Sequence, residues 1–264
     1  MNRNSLKKFY LFLFPVFIFL VHLPFVFATA KPQSQQLIQN QTNKETTQLP
    51  GYAKAIGDEF IAHAVSSNIM YDSLNLNTLG LSKQAFVNGV KGFYYLRSQG
   101  KLENENILSI VDFSLPSSRK RLFVIDMENF KVLFNTYVAH GRNSGKEYAV
   151  KFSNSPSSFK SSLGFYITKE TYTGEHGFSL KLEGEEKGIN DNALSRAIVI
   201  HCADYVDERF VKSQGYIGRS LGCPALPEKY SKPIIQTIKN GSCFFMFSPN
   251  TKYLSHSRLL QSAS

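Results

Sequence analysis

The chain has 264 residues, 42% of them hydrophobic, with 22 Phe and 13 Tyr. That is enough apolar material for one sizeable core and excludes a chain disordered throughout. The formal net charge is +10, but the basic residues are scattered, which argues against a nucleic-acid binder and suits an anionic wall or membrane surface.

Residues 1–30 read as an export signal. Arg3, Lys7 and Lys8 form a basic start, an apolar run follows from Phe9 to Phe27, and Ala28-Thr29-Ala30 supplies a cleavage pattern. Pro15 and Pro24 interrupt the run, so cleavage is expected over a retained anchor, with no stable membrane span afterwards. The predicted location is periplasm or cell wall, or the extracellular space. Residues 31–50, rich in Gln, Asn, Thr and Lys, read as a disordered linker.

Residues 51–105 have a helical texture. One segment runs from Ala53 to Ala64. A second opens at Leu81-Ser82 with Ser82 as N-cap, places Ala85, Phe86, Val90, Phe93, Tyr94 and Leu96 on one face, and closes at Gly100. From residue 106 to 250 the pattern changes to short strands. They are expected at Ile107–Phe113, Arg121–Asp126, Val132–Ala139, Gly164–Tyr172, Ser179–Leu182, Ala197–Cys202 and Ser242–Ser248, with a short helix at Tyr230–Ile238. The last dozen residues read as a frayed tail. The fold expected is mainly β with a helical N-terminal lead-in, a sandwich or barrel.

Cys223 stands out within Gly218-Arg219-Ser220-Leu221-Gly222-Cys223-Pro224. A thiol attacks as the thiolate and needs a base or a cation beside it. Gly222 would let backbone approach a substrate, and the amides of Gly222 and Cys223 are candidates for an oxyanion hole. Arg219 would favour the thiolate or bind a carboxylate. His201 ends the apolar run Ala197-Ile198-Val199-Ile200 and is the natural general base. The polar, Gly-containing stretch from Ser153 to Gly177 fits a cleft wall and ordinary surface turns equally. Cys202 and Cys243 both lie in strand-like runs; a bridge between them and two separate buried thiols both remain open.

His201, 18 intervening residues and then Ser220-Leu221-Gly222-Cys223 resemble the signature of the L,D-transpeptidase (YkuD) family. The chain is most similar to its murein L,D-transpeptidase catalytic domain subfamily. Matching blocks are Phe123–Asp126, Val138–Gly141, Phe152–Asn154, Ser161–Tyr166, His176–Leu180, Arg196–His201 and Gly218–Leu226. The resemblance implies a β-rich catalytic domain that needs no cofactor or metal and acts on peptidoglycan. Cys223 would be the nucleophile, His201 the base, and Ser220 an organiser of the site. His140, His176 and Gly164 fall in recurring blocks and are candidates for substrate binding, with Arg219. Two departures stand out: Leu221 and Ala225 occupy positions where many members carry polar side chains.

The leading expectation is therefore an exported cysteine acyltransferase that cross-links or remodels murein. An L,D-carboxypeptidase using the same Cys–His pair is the enzymatic alternative. A non-catalytic peptidoglycan-binding module is the alternative of another class. A zinc enzyme is disfavoured, because neither C-x-x-C nor H-E-x-x-H spacing occurs.

Overall fold

A computed structural model describes residues 66–262. The export signal, the linker and the helix expected over 53–64 lie outside the described residues. Helix α1 covers 66–73 of these, α2 is Leu76–Leu79 and α3 is Lys83–Ser98. Ser82 caps α3 as expected, its Oγ accepting the Ala85 amide at 3.2 Å. Gly100 lies just past the end at φ 62°.

Eight strands follow: β1 Ile107–Asp112, β2 Leu122–Asp126, β3 Lys131–Thr136, β4 Gly164–Gly174, β5 Gly177–Gly184, β6 Val199–Cys202, β7 Ala225–Leu226 and β8 Cys243–Phe247. They form one sheet in the order β3-β2-β1-β8-β4-β5-β6-β7. The chain is mainly β, with a nearly closed, barrel-like sheet and helices leading into it. Most neighbours are antiparallel, but β1 pairs with β8, and β6 with β7, in parallel. Parallel neighbours cannot be joined by a tight turn. The chain between β6 and β7 therefore makes a crossover containing helix α4, Glu208–Gln214. Helix α5, Glu228–Ile238, then returns the chain toward β8.

Strands β1 and β8 and the first half of β4 are buried, and the aromatic residues of β4 and β8 build much of the core. Phe165 of β4 stacks on Phe245 of β8 with ring centroids 4.0 Å apart. Helix α3 presses on this surface through residues without side chains: a Cβ on Gly92 would lie 2.1 Å from Phe165 Cζ. The lead-in thus extends the core of the sheet. Of its expected apolar face, Ala85, Phe86, Val90, Phe93 and Leu96 are buried, and Tyr94 is half-buried at the rim.

Two differences from the sequence reading are informative. Strand β7 was not expected, because two residues are too short to show a period. The chain end is not frayed within the described residues. Thr251–His256 (α6) and Arg258–Ser262 (α7) are helical, and Tyr253, Leu259 and Leu260 are buried. Their anchor is the buried Glu186 carboxylate, which accepts from the Phe165 amide, the Tyr253 hydroxyl and the Ser257 hydroxyl. Among the described residues, no helix is long and apolar enough to cross a membrane.

Candidate active site

The β6–β7 pair brings the two halves of the His–Cys pattern together. In register, His201 faces Ala225 and Cys202 faces Leu226. Cys223 thus enters β7 alongside the start of β6, and its thiol is held there by backbone. Sγ donates to the Ala197 carbonyl at 3.7 Å. Ala197 reaches that position in a left-handed conformation, φ 52°, unusual for a residue with a Cβ.

The turn before Cys223 is locked from inside and outside. Ser220 Oγ donates to the Cys223 carbonyl at 2.6 Å and accepts the Gly222 amide at 3.1 Å. The Ser220 amide donates to the His140 carbonyl, and the Arg142 amide to the Ser220 carbonyl. Ser161 Oγ links the Gly222 carbonyl to the Gly141 amide. Gly222 has φ 129°, and a Cβ there would meet the Lys160 carbonyl oxygen at 3.0 Å and Ile198 Cδ1 at 3.2 Å. The glycine is required by the protein's own packing as well as by φ, a reason different from the substrate approach expected of it. Its amide is already spent on Ser220, so of the expected oxyanion pair only the Cys223 amide is not committed to that hydroxyl.

His201 is buried at the end of β6. Its Nδ1 lies 2.7 Å from the Cys202 carbonyl oxygen, which only a protonated nitrogen can contact favourably. In the neutral ring, Nε2 then carries the lone pair. Burial lowers the imidazole pKa below its usual value; the Cys202 hydrogen bond opposes this, and His176 adds to it. Burial pushes the Cys223 thiol up, while a hydrogen bond from the Val199 backbone and the charge of Arg196 pull it down. Both shifts favour the uncharged forms, a thiol at Cys223 and a neutral imidazole at His201.

The cation that reaches Cys223 is Arg196, which in the sequence marks only the edge of a matching block. Its guanidinium donates to the carbonyls of Ser153 and Lys160 at 2.9 and 2.7 Å and to the hydroxyls of Ser162 and Ser158. The 153–162 part of the polar stretch is therefore a wall seated behind Gly222. Tyr205, four residues after His201, also lies close by; burial and the Cys223 charge raise its hydroxyl pKa to about 12. Nothing in the local sequence marks it.

The other expected residues fall in different surroundings. His176, at the tip of the β4–β5 hairpin, stacks on His201 with ring centroids 4.4 Å apart. Arg219 is exposed and donates to the carbonyls of Arg142 and Gly145. The backbone of His140 adjoins Ser220, but its side chain is fully buried. Nδ1 lies 2.7 Å from the guanidinium of Arg121, and Nε2 lies 3.3 Å from the Gly145 carbonyl. Gly164, φ 107°, sits against Glu186, whose Oε2 would be 2.2 Å from an added Cβ. It belongs to the Glu186 anchor and not to the Cys223 turn. Leu221 is 58% exposed beside Cys223, and Ala225 is buried. Cys202, Cys223 and Cys243 are all unpaired; Cys202 Sγ donates to the His176 carbonyl at 3.3 Å, and Cys243 is buried in β8. Among the described residues, no three His, Cys, Asp or Glu side chains are gathered as a metal site requires.

The L,D-transpeptidase catalytic domain family matches residues 77–247, well over half of the chain and spanning α2 to β8. The chain belongs to this family. Among solved structures, the similarities are at low identity and low TM-score. The chain is similar to an L,D-transpeptidase from Mycobacterium smegmatis at 13% identity, covering 54% of this chain and 59% of that one, TM-score 0.34. It is similar to an L,D-transpeptidase (Yku) from Stackebrandtia nassauensis at 12% identity, covering 72% and 80%, TM-score 0.33. A third is Mycobacterium tuberculosis L,D-transpeptidase 1, at 10% identity, covering 54% and 62%, TM-score 0.30. The chain thus spans less than two thirds of the length of the first of these structures. No curated protein matches it. Cys223, His201, His176, Arg196 and Tyr205 all lie within the residues that the L,D-transpeptidase family model matches.

Proposed function

We propose that this chain is an exported cysteine acyltransferase that performs L,D-transpeptidation on peptidoglycan stem peptides. The observation that carries this reading is the seat of Cys223. Its thiol lies at the mouth of a locked Ser220–Cys223 turn, beside a strand that ends in a neutral imidazole with a free Nε2. Membership of the L,D-transpeptidase catalytic domain family supports the reaction class.

On this reading, His201 Nε2 takes the Cys223 proton as sulfur attacks the carbonyl carbon between the L-centre of the stem's diamino acid and D-Ala. The negative charge that develops on the carbonyl oxygen is met by the Cys223 amide. The C–N bond then breaks, D-Ala leaves with the proton from His201, and the acyl group remains on sulfur as a thioester. An amine of a second stem attacks that thioester, passes its proton to His201, and frees the thiol. If water takes the place of the amine, the same site is an L,D-carboxypeptidase. Export by residues 1–30 puts the enzyme where its substrate is, and the charge of +7 that remains after their removal suits an anionic wall.

The test is incubation of purified wild type and Cys223→Ala with a defined disaccharide-tetrapeptide, followed by mass spectrometry. Cross-linked dimers and free D-Ala are expected with wild type, and neither with the variant. Shortened monomers without dimers would assign the hydrolytic branch. Dimers formed by Cys223→Ala at the wild-type rate would sink the cysteine mechanism.

A further inference from the structure

The tip of the β4–β5 hairpin has an unusual placement. Gly174 pairs with Gly177, so Glu175 and His176 form a two-residue loop, with Gly177 at φ 73°. Leu180 of β5 faces Ile200 of β6, and the antiparallel register carries the tip toward the end of β6 where His201 stands. A register shift between Thr168 and Thr171 bends the hairpin on the way. There the ring of His176 lies nearly flat over that of His201, with centroids 4.4 Å apart and planes 24° from parallel. The carbonyl of His176 is tied down by the Cys202 thiol, the residue next to His201.

This contact is poorly explained by core packing. His176 is exposed at the hairpin tip. What it covers is one face of an imidazole held at Nδ1 by the Cys202 carbonyl. A hydrogen bond at one atom does not by itself fix the tilt of a ring; a flat aromatic neighbour restricts it and keeps water off the covered face. We infer that His176 is a positioning residue, whose stacked ring holds the His201 imidazole so that Nε2 is presented to Cys223. This role rests on the reading of His201 as the base. It uses the face of the His176 ring, and neither of its nitrogens takes the thiol proton.

The test uses the full chain as wild type, His176→Ala, His176→Phe and His201→Ala, with iodoacetamide as probe. Cys223 sulfur displaces iodide, forming an S–C bond as the C–I bond breaks, and the thiol proton passes to His201. The rate at Cys223 is read peptide by peptide by mass spectrometry, so that Cys202 and Cys243 do not contribute. At pH 7 His176→Ala is expected to react about 10-fold more slowly. His176→Phe, which restores a flat ring, should return to within roughly threefold of wild type. Both variants should melt at the wild-type temperature, because the tip is exposed. A wild-type rate in His176→Ala overturns the inference. So does a Phe variant as slow as the Ala variant, which would make a ring nitrogen the active part, or a lowered Tm that accompanies the slow rate in both. His201→Ala separates the two ideas: if it reacts at the wild-type rate, the assignment of the base fails. If it is slow while His176→Ala is not, only the positioning role fails.

Discussion

Arg196 joins two tasks in one side chain. Four hydrogen bonds fasten it to the 153–162 wall, and its charge lies close enough to Cys223 to favour the thiolate. A serine-rich loop with Ser157 and Phe159 at φ 53° and 54° needs such a fastening, because these are conformations residues with a Cβ adopt rarely. Replacing Arg196 by Gln removes the charge and part of the fastening. The pH of half-maximal alkylation at Cys223 should rise, and turnover at pH 7 should fall about 10-fold. Arg196→Lys should recover part of the pH shift, since it keeps the charge, but little of the loop order, since an ammonium cannot span four acceptors in a plane. An unmoved alkylation profile in both variants would remove Arg196 from the electrostatics of the site. With His201 as the proposed base, its lowered pKa is expected to place the acid limb of the wild-type alkylation profile below the ordinary imidazole value of about 6.5.

Between elements, the contact that sets the distance of α3 from the sheet is Gly92 on Phe165. Phe165 cannot retreat, because its other face is stacked on Phe245 at 4.0 Å. Gly92→Ala gains about 1 kcal/mol of helix propensity. It also drives a Cβ to 2.1 Å from Phe165 Cζ, and overpacking of a tight core costs about 1–3 kcal/mol. The net effect expected is a loss of stability, visible as a fall of several degrees in Tm. A Tm equal to or above wild type would show that the helix shifts outward freely. Strand pairing also sets the length of the gap in the His–Cys pattern. The 18 residues between His201 and Ser220 are the crossover that parallel strands β6 and β7 demand, with α4 inside it.

At the scale of the whole molecule, the buried Arg121–His140 pair ties the fold to pH. Arg121 is fully buried, donates to the carbonyls of Leu115 and Val138, and lies with its charge over the ring of Phe113. Burial lowers its pKa to about 9. Burial, with the Arg121 charge second, holds His140 at about 3. The unfolded chain protonates this histidine near 6.5. Between those values the unfolded state binds the extra proton, so stability falls as pH drops from about 6.5 toward 3. The contribution lost by pH 4 is on the order of 3 kcal/mol. His140→Gln keeps an acceptor for Arg121 and a donor for Gly145 but has nothing to protonate. It should melt below wild type at pH 7, yet lose less Tm on going to pH 4. Equal losses in the two proteins would clear His140 of the effect.

The pattern of residues pointed to the family and to the main elements. Ser82 as a cap, the apolar face of α3 and the short strands are local signals, written in nearest-neighbour spacing. The His201 and Cys223 blocks were legible because motif chemistry forces particular residue types next to one another. The setting of those two side chains was decided only by tertiary structure. Arg196 and Tyr205 approach Cys223 across the fold, and charge and burial act through distance in space, not along the chain. His140 and Gly164 sit in matching blocks, yet one side chain is turned into the core beside Arg121 and the other residue packs on Glu186. Strand β7 exists because β6 offers it a parallel edge, and the chain end is helical because Glu186 gives it a buried partner. Two residues and a dozen residues, respectively, hold too little local free energy to declare such structure alone.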